Sequence, residues 1–141
     1  MNRNKYIFII LILFSTHYLF GQTNIVQSVK IEYVDFTTLT DMHVDCADFE
    51  KSFVYKEIEI RDRLILNQLV SYIAAFKKDS INNYLPDSRA KIFINYCTKK
   101  QDVICISNTD ISYNSSLILL NTDFLNYIID LIKRKDREFD Y

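Results

Sequence analysis

Glycine and proline each occur once in 141 residues, at Gly21 and Pro86. Turns that need positive φ or a ring-locked bend must therefore be made by other residues. Every motif built on glycine is excluded: phosphate-cradling loops, dinucleotide fingerprints, nucleophile elbows and EF-hand loops. Asparagine is the expected substitute, because it tolerates positive φ better than other non-glycine residues. Asn82-Asn83, Asn108 and Asn114 fall at expected loops or turns. The composition is otherwise globular, with 49% hydrophobic and 25% charged residues, which argues against disorder. A formal net charge of -1 offers nucleic acid no basic surface, so no nucleic-acid partner is expected. Two histidines and three cysteines are too few for a multi-ligand zinc cluster, and no cofactor or metal is expected.

Arg3 and Lys5 precede an apolar run over residues 6–14, which continues through Ser15, Thr16 and His17 to Tyr18, Leu19 and Phe20. A basic n-region, an apolar core of ~7–15 residues and a small residue at its end describe a secretory signal peptide. Residues 1–21 are read as that signal, cut after Gly21. Residues 22–141 are read as a single α+β domain, exported to the periplasm or out of the cell. The alternative is an uncleaved leader that anchors the chain to the inner membrane by residues 6–20. A full span needs about 20 mainly apolar residues, and this stretch is shorter and broken by polar ones. Membrane contact, if any, comes only from that leader.

The domain reads as strands and helices in mixed order. Residues 25–36 form a strand, with Val29, Ile31 and Tyr33 alternating against Lys30 and Glu32. Residues 37–49 are polar and irregular. Alternation resumes over residues 53–60, with Val54, Ile58 and Ile60 on one side. Asp62 caps a helix whose stripe is Leu66, Leu69, Val70, Ile73 and Phe76, with Lys77 and Lys78 at its negative end. Residues 79–88 form a loop. Strands over 90–97 and 103–107 are joined through a loop at 99–101, which sets Tyr96 opposite Ile104 and Ile94 opposite Ile106. Residues 111–120 give one or two short strands. Asn121 or Thr122 caps a last helix with Phe124, Leu125, Ile128, Leu131 and Ile132 inward and Lys133, Arg134 and Lys135 at its end, before a frayed tail. Tyr113 and Tyr141 are expected at the surface. The fold class is α+β: an antiparallel sheet of about four to five strands with two amphipathic helices packed on one face.

The densest cluster of reactive side chains is Asp41, His43, Asp45 and Cys46. A metal could use His43, Cys46 and a carboxylate, but structural sites draw on a second ligand pair, which the chain lacks. A cysteine nucleophile could use His43 as base, yet catalytic Cys–His pairs normally converge from distant segments. The plain reading is a polar loop with an oxidised cysteine, and no catalytic residue is assigned. In an exported chain Cys46, Cys97 and Cys105 allow three pairings, each leaving one thiol. In the strand register above, Cys97 and Cys105 lie diagonally, which strains a direct bridge. The favoured pairing is Cys46 with Cys105, pinning the irregular loop to the sheet, and the alternative is three reduced thiols. Asp87 and Arg89 open the third strand and could contact a ligand or hold a loop. The functional candidates are His43, Asp45, Asp87 and Arg89.

The sequence LFGQ near the leader's end, the Asn-, Ile-, Lys- and Tyr-rich usage and the segment DSRAKIFINYCTKKQDVICIS together resemble small exported Bacteroidota proteins of no assigned activity. The resemblance implies an exported α+β domain and brings no catalytic or binding residue with it. Three functions follow as expectations. The first is a non-enzymatic domain that binds another exported protein or an envelope component. The second is an inhibitor or immunity-type protein against an exported enzyme, acting through a rigid loop near residues 37–48. The third is a hydrolase built on His43 and Cys46.

Overall fold

The computed structural model describes residues 25–80 and 84–139. The leader with its cleavage point after Gly21, the Asn82-Asn83 pair and Tyr141 lie outside the described residues. The alternating segments form six strands: β1 (Val26–Tyr33), β2 (Lys56–Ile60), β3 (Ala90–Tyr96), β4 (Gln101–Ile106), β5 (Ile111–Tyr113) and β6 (Ser116–Ile118). They make one antiparallel sheet in the order β2-β1-β3-β4-β5-β6. A short helix α1 (Phe49–Ser52) lies between β1 and β2, α2 (Arg63–Ala74) between β2 and β3, and α3 (Thr122–Lys135) after β6. The fold is the expected α+β arrangement with one or two more strands than expected. The addition comes from residues 111–118, which turn back within two residues. Asn114 and Ser115 both have positive φ (47° and 64°), the signature of a type I′ hairpin turn whose twist matches that of the strands.

The β3–β4 register differs from the expected one by four residues, Ile104 meeting Ile92 where Tyr96 was expected. Ile92 faces Ile104 and Ala90 faces Ile106. The hairpin is closed by Cys97, Thr98 and Lys99, with Tyr96 N–H donating to the Lys100 carbonyl and Lys99 N–H to the Tyr96 carbonyl. Lys99 sits at φ 63°, the left-handed position that ends a three-residue hairpin loop. An even shift preserves the face of every side chain. Ile31, Ile92, Ile94, Ile104, Ile106 and Ile111 therefore still share one face, all fully buried.

That face is covered by α2 and α3, whose Leu66, Leu69, Phe124, Leu125, Ile128 and Ile132 join the same core. The Asp62 carboxylate caps α2 by accepting from Leu64 and Ile65 N–H, and the Asn121 side chain caps α3 by accepting from Phe124 N–H. Three expectations are corrected. Helix α2 ends at Ala74, so Lys77 and Lys78 lie outside its last turn. They run extended beside β6, with Leu119 N–H donating to the Lys77 carbonyl and Asp79 N–H to that of Leu117, which satisfies a strand edge that would otherwise stand open. Val54 lies outside β2 and is fully exposed, because only from Lys56 does the chain pair with β1. The tail is not frayed as far as Phe139, which is buried edge-on against Tyr33 and Phe36.

Candidate functional site

The second face of the sheet carries the segment between β1 and β2. Phe49 of α1 is wholly buried there, and Glu50 takes a 2.7 Å bond from Lys91 on β3. Cys46 and Cys105 form a disulfide, with Cα atoms 5.8 Å apart, within the ordinary span. Cys97 keeps an exposed thiol at the β3–β4 turn. The bridge ties the irregular loop to the C-terminal end of β4.

A second fastening lies at the start of β3. Arg89 is 7% exposed, and its guanidinium grips both carboxylate oxygens of Asp87, at 3.0 and 2.8 Å. It also donates to the Ser88 carbonyl and the Thr40 hydroxyl, and lies over the Phe53 ring. Asp87 Oδ1 accepts the Val44 N–H at 2.9 Å, and Ser88 N–H donates back to the Val44 carbonyl at 2.8 Å. Burial pushes the Asp87 carboxyl up, but hydrogen bonds from Arg89 and Val44, with the charges of Arg89 and His43, bring it below its ordinary value. A carboxylate so held is a poor proton carrier near neutral pH. The pair acts as a clamp that holds residues 40–44 against β3.

Beside the clamp opens a polar cleft of about 250 Å³. His43, Asp87 and Arg89 line it together with Tyr84 and residues 107–110. Ser107 shapes the far wall: its hydroxyl accepts the N–H of Thr109 and of Asp110, and its own N–H donates to the Asp110 carbonyl. Asp110 Oδ1 accepts the Tyr84 hydroxyl at 2.7 Å and Oδ2 the Thr109 hydroxyl at 2.6 Å. That bond, with smaller help from burial, raises the Tyr84 phenol above its ordinary value.

Three of the four sequence candidates thus converge: His43, Asp87 and Arg89. Asp45 does not join them, because its Oδ1 is turned to the Ala47 and Asp48 N–H groups and closes a local turn. Sequence reasoning missed Tyr84 and residues 107–110. The Ser107-x-x-Asp110 spacing, with Ser and Asp able to bind nearby backbone, is the signal that could have marked the turn. Among the described residues no group of three or more His, Cys, Asp or Glu side chains is placed to hold a metal ion.

A different cluster lies under the helices. Asp102 is 1% exposed, on the isoleucine face of β4. Its Oδ2 accepts the hydroxyls of Tyr113 (2.6 Å) and Tyr96 (2.8 Å), and its Oδ1 the Asn114 amide (3.1 Å) and the Lys100 ammonium (3.2 Å). Desolvation pushes this carboxyl up, but these donors overcome it and hold it at about 2. Tyr96 is pushed up to about 12, by burial first and then by Asp102. Tyr113, expected at the surface, is partly buried with its hydroxyl committed to Asp102. Lys100 and Asn114 border the two positive-φ turns, so the cluster ties the hairpins together and has little capacity left for a ligand.

Compared with protein-family models, with curated proteins and with solved structures, the chain matches none.

Proposed function

We propose that this is an exported, non-enzymatic domain that binds another protein through the loop over residues 37–48. One observation carries the reading. The loop is fastened at Thr40, Val44 and Cys46, while Leu39 (95% exposed), next to the first fastening, and Met42 (78% exposed), between the first two, stand out into solvent. Apolar side chains on a pre-ordered loop lose little conformational freedom on binding, which raises the affinity they can deliver. The disulfide supports the exported setting, since such bonds persist in oxidising compartments. No helix among the described residues is long and apolar enough to cross a membrane.

The inhibitor or immunity-type reading uses the same loop against an exported enzyme, and the rigid fastening favours it over a loosely tethered one. The hydrolase reading loses its nucleophile, because the Cys46 sulfur is spent in the bridge. The test is affinity capture from the exported fraction of the source cell, comparing the native chain with a Leu39→Glu, Met42→Glu double variant of unchanged melting temperature. A partner held by the native chain and lost by the variant supports the reading. An identical captured set from both ends it. Inhibition of a captured hydrolase selects the inhibitor form.

A further inference from the structure

We infer that the cleft beside the Asp87–Arg89 clamp binds a neutral saccharide, independently of the protein bound by the loop tip. Size sets the first limit. About 250 Å³ is roughly the share of eight waters in the liquid, at ~30 Å³ each, the scale of one sugar ring and not of a peptide segment.

Charge sets the second limit. The Arg89 cation is taken up by its two-pronged pair with Asp87. Among the described residues the Asp110 carboxylate is bonded by hydroxyls alone, those of Tyr84, Thr109 and Ser107. Asp110 therefore stands in the cleft as a carboxylate with no bonded cation among the described residues, and it repels phosphate, sulfate or carboxylate groups. No trio of metal-ligating side chains stands among the described residues. A wholly apolar ligand would cover the Asp87, Arg89, Asn108 and Asp110 side chains of the lining without offering them hydrogen bonds.

A neutral polyol fits what remains. Sugar hydroxyls both donate and accept, and the wall offers carboxylate acceptors beside side chains that do both. Tyr84, 52% exposed, adds an aromatic ring to the lining, and the C–H side of a sugar packs well on aromatic surface. The Asp110 bond holds that phenol in place. The walls are set before any ligand arrives: residues 43–46 by the disulfide and clamp, residues 107–110 by the Ser107 turn. Pre-set polar groups lose least on binding.

The experiment is an amide chemical-shift titration of the disulfide-intact protein with maltotriose, cellotriose and chitotriose, and separately with tetramethylammonium and inorganic phosphate. At least one trisaccharide is expected to give saturable shifts confined to His43, Tyr84 and residues 107–110. Tyr84→Ala should then weaken binding at least about tenfold, with the other resonances unmoved. The Leu39→Glu, Met42→Glu variant should bind the sugar as the native chain does, so failure here and failure of the loop reading are separable. Absence of saturable shifts with all three sugars overturns the inference. So does saturation by tetramethylammonium or phosphate alone, or sugar binding indifferent to Tyr84→Ala.

Discussion

Burial among isoleucines would raise the pKa of an isolated Asp102, and the two phenols, the amide and the ammonium around it reverse the direction. The folded value, about 2, lies below the ordinary 3.8. A depressed acid contributes stability that is fully present above its unfolded value and is lost as pH falls through the folded one. The loss therefore falls between about pH 4 and pH 2 and amounts to about 2 kcal/mol. Asp102→Asn should cost about 2 kcal/mol at neutral pH, since charge-assisted bonds become neutral ones. Urea unfolding across that acid window checks both claims. The variant should show a flatter acid slope than the native chain, and an unchanged slope would remove Asp102 from the account. The position of this acid was legible in sequence, since Asp102 alternates in phase with Ile104 and Ile106. Its partners were not, because they come from the neighbouring strand, another hairpin and two turns.

At the level of elements, α3 shows what periodicity can and cannot tell. Its inward stripe is as the spacing predicts, and of the two expected caps, Asn121 or Thr122, Asn121 is the one that accepts from Phe124 N–H. The segment after it carries no period, yet it is anchored. Asp136 Oδ2 accepts the Lys56 ammonium at 2.7 Å and the Tyr33 hydroxyl at 3.1 Å, and Phe139 packs edge-on against Tyr33 and Phe36. Phe139→Ala should destabilise the protein by about 3 kcal/mol, the usual scale for truncating a buried phenylalanine. A thermal or denaturant shift equivalent to less than ~0.5 kcal/mol would mean that the tail contributes nothing. The β3–β4 hairpin shows the same limit. A period of two assigns faces but not register, so the pairing could slide by two residues without exposing one isoleucine. The observed pairing is the one closed by the three-residue loop with Lys99 in the left-handed conformation at its end.

For the whole molecule, the Cys46–Cys105 bridge closes a separation of 59 residues. It should contribute about 2–4 kcal/mol, in the chain-entropy account through the unfolded state. Native protein should take up one equivalent of thiol reagent, at Cys97, and three once reduced and unfolded. Reduction should lower the urea midpoint accordingly. Three reactive thiols in native exported protein would remove the fastening on which the loop reading depends. The pairing could be favoured in advance because only Cys46 sits in a segment without regular structure, where a bridge has work to do. The polar cleft was half visible: His43, Asp87 and Arg89 stood out by type, while Tyr84 and Asp110 came from segments whose meeting no local pattern encodes. By itself the amino-acid order determined the α+β class and most of the inward faces of strands and helices, Val54 and Val70 being the exposed exceptions, because these depend on periods of two and 3.6 and on neighbours a few residues away. The tertiary structure alone decided the register, the companions of Asp102, the docking of Phe139 and the cleft, because each needs side chains distant in the chain to arrive at hydrogen-bond or packing distance together.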